Sequence, residues 1–224
     1  MRTFLFLWIT LVFFAPSLVD RAMLAYADST TVHLVAPFRE KQASGVVIGE
    51  RDAADGCRVL VGTARHVTKA KDTDSAEHIT LETDTGPVAI ASAWAESGDA
   101  GVLVFVVPGK CSENAYRVAI VAAEVTSRGQ KVFGSGYPFG HKFFQWGAVS
   151  EPVVSMDMED GLPVTQMSVV YPGAPGNSGG PLFDIFGRVV GVLSGGYPAA
   201  PMLAFFASAA QLREAVGKLK GWEI

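Results

Sequence analysis

Gly176-Asn177-Ser178-Gly179-Gly180-Pro181 decides how this chain folds and what it can do. A serine held between glycines suits a nucleophilic turn. Its hydroxyl stands clear of neighbouring side chains, and the amides around it can converge where an oxyanion forms. Glycine allows both because it lacks a Cβ and tolerates positive φ. For the hexapeptide alone, the plainer alternative is a glycine-rich surface turn with an incidental serine.

The stretch also satisfies Gly-x-Ser-x-Gly, the nucleophile elbow of α/β-hydrolases, so chain order must decide. That fold needs its acid and then its histidine after the serine. The histidines here are His33, His66, His78 and His141, and all precede Ser178. The hydrolase triad is therefore excluded, and the order His, Asp, Ser remains.

His66 follows Cys57-Arg58-Val59-Leu60-Val61-Gly62, which reads as a buried strand. A histidine at a strand end, opening a short helical turn, projects into a cleft while its backbone stays anchored. His33 sits in an early alternating strand, His78 begins another, and His141 lies in a loop; these three are read as structural or solvated. Asp99 stands in Gly98-Asp99-Ala100-Gly101 at the mouth of the apolar run 102–107. A carboxylate buried there needs a hydrogen-bonding partner, and the His66 imidazole is the candidate. The bland reading is a strand cap bonded to nearby amides. Asp84 and the pair Asp72 and Asp74 lie in polar turns without a following apolar run and are weaker rivals.

With these three motifs in this order, the chain resembles the trypsin-like (chymotrypsin-fold) serine proteases, most closely the HtrA/Deg branch. The serine hexapeptide, the Gly136-Tyr137-Pro138-Phe139-Gly140 turn and the strand Ala43-Ser44-Gly45-Val46-Val47-Ile48 carry the resemblance, which spans about residues 43–216. Asn177 stands where trypsin-type zymogens carry the Asp that pairs with a new N-terminus, so activation by that route is not expected. Two positions depart from the family pattern: Asp99 is followed by Ala-Gly, and the bulky, charged Arg65 precedes His66.

The resemblance implies an endopeptidase with Ser178 as nucleophile, His66 as base and Asp99 as orienting acid. It places an oxyanion hole on the amides of Gly176 and Ser178. It also implies a peptide-binding edge at Ser194, Gly195 and Gly196, and an S1 wall that includes Ala174 within 172–175 and residues 203–206. Pro172 stands six before the serine, where Arg/Lys-cleaving relatives carry an acid, so a small or medium apolar P1 residue is expected. In the resembling fold the His66 and Asp99 strands pair antiparallel, which brings Cys57 and Cys111 to the far end of one ladder and implies a disulfide. A non-catalytic peptide-binding module on the same fold is the alternative; the full set of His66, Asp99 and Ser178 speaks against it.

Composition narrows the partners. The 224 residues carry 18 Lys+Arg against 22 Asp+Glu, without a basic run or aromatic-basic interleaving, so nucleic acid is not an expected partner. No His/Cys/Asp set has ligand spacing, and two cysteines do not make a typical structural zinc site, so no metal or cofactor is implied. The expected partner is a polypeptide substrate. HtrA relatives commonly trimerise, but nothing in this pattern demands or rules out a homo-oligomer. At the N-terminus, Arg2 precedes an apolar run from Phe4 to Val19, followed by Ala25-Tyr26-Ala27. These features predict a signal peptide over 1–27, cleaved after Ala27, and an exported (periplasmic or secreted) protein. The alternative is an uncleaved run acting as a membrane tether.

Short apolar or alternating runs at 43–49, 57–63, 78–83, 87–94, 101–107, 116–121, 130–135, 142–149, 163–170, 187–194 and 202–207 predict an all-β chain. About a dozen strands suit two barrels rather than one. With the resemblance, the expectation is two six-stranded antiparallel β-barrels: a first over 28–112, a second over 113–207 and a C-terminal helix in 208–224. Ser208 caps that helix, which is expected over 209–220 with Leu212, Val216 and Leu219 on the face packed against the second barrel.

Overall fold

Unbroken or alternating apolar runs, punctuated by glycine and polar turns, build a molecule made mostly of strands. The structure, a computed structural model, describes residues 18–36, 41–68, 79–83, 86–157 and 163–224. Helix α1 (Leu18–Thr30) leads directly into β1 (Thr31–Ala36). Then follow β2 (Lys41–Ala53), β3 (Gly56–Ala64), the one-turn helix α2 (Arg65–Thr68), β4 (Thr80–Thr83), β5 (Gly86–Ser97) and β6 (Ala100–Val107). These six strands close into a barrel in the order β1-β2-β3-β6-β5-β4. A second closed barrel, ordered β10-β11-β12-β9-β8-β7, uses β7 (Lys131–Gly136), β8 (Phe143–Asp157), β9 (Pro163–Val170), β10 (Pro181–Asp184), β11 (Val189–Tyr197) and β12 (Ala200–Ser208). Every neighbouring pair is antiparallel, and closure pairs each strand on both sides over part of its length.

The two barrels share apolar packing. Leu34, Val47, Val61, Leu103 and Phe105 fill the interior of the first. Val46, Ile48, Leu60, Val102 and Val104, on the opposite faces of the same strands, join Phe133, Phe183, Leu193 and Phe206 of the second in one continuous core. The first barrel thus buries both faces of β2, β3 and β6, which explains why those stretches read as nearly unbroken apolar runs.

Three elements differ from the sequence reading. The run 116–121 is no strand. It connects the barrels, with the Ala119 N–H donating to Val47 O on one side and Ile120 O accepting from Val189 N–H on the other (both 2.8 Å). Ala119 and Val121 are buried while Val118 and Ile120 are exposed, so alternation here reflects a linker pressed between two barrels. Conversely, β10 starts on the last residue of the serine hexapeptide, Pro181, and its four residues are too short a run to announce themselves. The C-terminal helix α3 (Ala209–Gly217) has the expected Ser208 cap, with Gln211 Oε1 accepting from the Ser208 N–H at 3.0 Å. It packs on the first barrel as well as the second, because Gly62 leaves room for Leu212 and Gly49 for Trp222 beyond the helix end.

The Cys57–Cys111 disulfide forms as expected and closes a 54-residue span. It lies at the end of the β3/β6 ladder where Cys57 faces Val107.

Candidate active site

The opposite end of that ladder pairs Ala64 with Ala100. His66 is therefore two residues beyond the last rung on one strand, and Asp99 one residue before it on the other. The connection is clamped. Arg65 N–H donates to Asp99 O at 2.9 Å, and Thr68 Oγ1 donates to Glu96 Oε1 at 2.6 Å. Arg65, the bulky residue beside the histidine, pairs through its guanidinium with Glu96 at 3.4 Å. His66 is exposed, whereas Asp99 is 1% exposed.

Ser178 sits in the loop between β9 and β10, half-buried, and both barrels hold that loop. From the first barrel, Ser44 N–H donates to Ser178 O at 2.7 Å and Ser44 Oγ donates to Gly176 O at 2.9 Å. From the second, Gly179 N–H donates to Leu193 O at 2.7 Å and Leu193 N–H returns a bond to Gly180 O at 2.8 Å. Gly179 adopts φ +84°, and a Cβ there would lie 2.0 Å from Thr63 Oγ1. Thr63 belongs to β3, three residues before His66, so the serine loop is seated against the strand that delivers the histidine.

The amides beside the hydroxyl are set by their own peptide planes. Pro175 O accepts from Phe139 N–H at 3.0 Å, and Asn177 O accepts from Gly180 N–H at 2.9 Å. In a trans peptide the N–H points opposite to its C=O. Fixing those two carbonyls therefore fixes the N–H directions of Gly176 and Ser178. Among the described residues, no backbone carbonyl accepts from either amide. Gly176 adopts φ +90°, where a Cβ would lie 2.6 Å from Tyr137 O. Asn177, 1% exposed, turns its side chain inward beside Tyr171, whose hydroxyl is pushed up by burial while the neighbouring amide offsets part of the effect.

β11 runs past its last β10 partner, Val192, and beyond Leu193 only β12 pairs with it among the described strands. Ser194 is 8% exposed, Gly195 is intermediate and Gly196 is exposed. A Cβ at Gly195 or Gly196 would meet nothing within 4 Å, so an open strip runs along this segment. The 172–175 segment faces it, since a Cβ on Gly173 would lie 3.6 Å from Gly196 Cα.

The remaining histidines have other partners or lie outside the described residues. His33 stacks on Tyr137 (5.0 Å between centroids) and pairs with Glu82 at 3.4 Å. Burial holds it below its ordinary value of 6.5, and Glu82 opposes the shift. His141 follows the short turn Pro138–Gly140. His78, Asp72, Asp74 and Asp84 lie outside the described residues. Among the described residues, Glu50, Cys57 and Cys111 lie close enough to share a metal ion, but both thiols are consumed by the disulfide.

Sequence reasoning missed two kinds of residue. Ser44 and Thr63, which brace the serine loop from the first barrel, look like ordinary strand residues. Gln166 on β9 is 4% exposed and donates through Nε2 to Asp99 Oδ2 and, at 3.1 Å, to Ser194 Oγ. No local motif marks it.

The family model described as a trypsin-like peptidase domain matches residues 43–192. Among solved structures, the active form of the Rv3671c protease from M. tuberculosis is 24% identical, with a TM-score of 0.69, and the match covers 94% of this chain and 89% of that one. A serine endoprotease from Yersinia pestis is 18% identical with a TM-score of 0.61, covering 91% of this chain and 66% of its own. The HtrA-type protease AlgW, solved with a tripeptide, is 19% identical with a TM-score of 0.59, covering 83% and 58%. These structures share the fold. No curated protein matches the chain. On the family match and the two-barrel architecture, the chain belongs to the trypsin-like peptidases, a family of serine endopeptidases.

Proposed function

We propose that the chain is an exported endopeptidase that cleaves peptide bonds through an acyl-enzyme on Ser178. His66 takes the serine proton as Ser178 attacks the scissile carbonyl, then returns it to the leaving amine. Asp99 holds the imidazole in one tautomer and stabilises its charged form. The Gly176 and Ser178 amides receive the oxyanion, and loss of one such donor typically costs about 3 kcal/mol of barrier.

The observation that carries this reading is the anchoring of Pro175 O and Asn177 O, which presets two amides beside a half-buried serine. A module that only held peptides would have no use for donors aimed at a developing charge. Turnover of a denatured protein substrate tests it. Ser178→Ala abolishes turnover, and Asp99→Asn, which loses the tautomer control, lowers kcat by about ten-thousandfold. Undiminished turnover in Ser178→Ala contradicts the proposal.

The substrate adds as a strand along Ser194, Gly195 and Gly196, where main-chain bonds give affinity. Its P1 side chain enters between Ala174 with its neighbours and the 203–206 segment, and is small or medium and apolar. A peptide library read by mass spectrometry shows cleavage after such residues; strict cleavage after Arg or Lys contradicts this.

A second reading of the N-terminus has its own observation. Ala27, where sequence alone puts the cleavage point, is fully buried in α1. Tyr26 packs edge-on against Phe183 at 5.6 Å, and Arg117 N–H donates to Ser29 O at 2.8 Å. Among the described residues no helix is long and apolar enough to cross a membrane. The packing of α1's last turn, where Ala27 and Thr30 are buried, favours retention of this segment, with the preceding apolar run left to tether the enzyme. Mass spectrometry of the mature N-terminus separates the two: a start at Asp28 restores cleavage.

A further inference from the structure

Asp99 is 1% exposed, and a carboxylate so deeply buried is costly unless donors face it. The donor on the second-barrel side is Gln166. Alternation along β9 turns Met167 and Val169 into the second barrel's core and Gln166 outward, towards the first barrel. From there Gln166 Nε2 donates to Asp99 Oδ2. Its second hydrogen goes to Ser194 Oγ at 3.1 Å. The amide must present nitrogen here, since an ionised carboxylate only accepts. Ser194 is presented by an irregularity in β11, where the register shifts between Leu193 and Gly195. One side chain, 4% exposed, thus joins the acid of the first barrel to the peptide-binding strand of the second.

We propose that Gln166 is a positioning residue for the reaction: it holds Asp99 ionised and in a fixed rotation, and it couples that carboxylate to Ser194. The proposal rests on Asp99 acting as the orienting acid. By occupying Oδ2, the amide directs the remaining oxygen towards the imidazole. Being neutral, it stabilises the charge without competing with His66 as a cation. The other charged groups packed around this corner are Arg65 and His66 on α2, Glu96 on β5 and Lys218 after α3. Arg65 and Glu96 pair with each other, and Lys218 Nζ donates to Glu96 O at 2.6 Å. A binding strand that shares a hydrogen-bonded side chain with the acid also gives substrate a route to steady the triad.

The test compares Gln166→Met and Gln166→Glu with wild type, using pH profiles of kcat/KM on one peptide. Gln166→Met keeps the bulk and removes both donated bonds. It should lower kcat about ten- to a hundredfold, the usual effect of a lost bond to a charged group, while KM changes little. Both variants make the acid and the imidazole bind protons more tightly, so the acid limb moves to higher pH. Gln166→Glu keeps the shape, so misfolding of the methionine variant leaves the test standing. If both variants keep the wild-type kcat and acid limb while Ser178→Ala is inactive, Gln166 is only a packing residue and the proposal falls. If Ser178→Ala turns over substrate, the triad reading falls instead.

Discussion

Gly179 and Gly195 are both glycines of the cleft, yet they serve opposite ends. Gly179 adopts φ +84°, and a Cβ there would lie 2.0 Å from Thr63 Oγ1 and 2.1 Å from Ser44 O. Both atoms belong to the first barrel, so alanine must push the serine loop off it. Gly179→Ala should destabilise the protein by about 3 kcal/mol or more, combining backbone strain with overpacking, and abolish activity. Gly195 has open space around it and no positive φ. Gly195→Ala should leave the urea midpoint unchanged and, on the proposed strand-addition mode, raise KM, because its methyl would lie in the path of the peptide. Paired denaturation and kinetic measurements check both; a stable Gly179→Ala enzyme contradicts the seating described for Ser178. The sequence singled out Ser178, His66 and Asp99 as candidates because glycines or apolar runs punctuate the chain beside each of them. Gln166 was not legible, since its bonds to Asp99 and Ser194 come from register across two barrels and Thr165-Gln166-Met167 looks like any half-polar strand.

At the scale of elements, one ladder orders the site. β3 and β6 pair from Cys57 opposite Val107 to Ala64 opposite Ala100, so the disulfide at one end steadies the His66 and Asp99 geometry at the other. Closing a 54-residue span contributes about 4 kcal/mol by the chain-entropy account. Reduction should lower the urea midpoint by a corresponding amount without changing the far-UV spectrum of the native state. An unchanged midpoint means that the bond constrains nothing the barrel does not already hold. These two strands were readable because both their faces are apolar. The linker 116–121 was misread because burial on alternate sides mimics a strand, and α3 was assigned to one barrel because nothing in its own stripe shows that Gly62 and Gly49 leave room for it and for Trp222.

Over the whole molecule, the active cleft exists only while the two barrels stay in register, and α1 belongs to that assembly. It joins β1 without a break, buries Ala27 and ties Asp28 O to Lys142 Nζ at 3.1 Å. A chain beginning at Asp28 should unfold at a temperature several degrees lower than the full chain, since it loses a buried alanine and an aromatic contact, worth about 2 kcal/mol together. Equal melting temperatures mean that the helix is dispensable. The two-barrel plan was legible from the number and spacing of apolar runs. The packing of α1 was not, because a small-residue cleavage pattern and a helical turn that buries Ala27 share the same residues, Ala25-Tyr26-Ala27.

Covalent labelling by a fluorophosphonate, read by tandem mass spectrometry of the digested protein, tests the nucleophile assignment most directly. The account predicts one phosphonylated residue, Ser178, with labelling slowed severely in His66→Ala and absent from Ser178→Ala. Label on any other serine, or undiminished labelling once Ser178 is replaced, contradicts it.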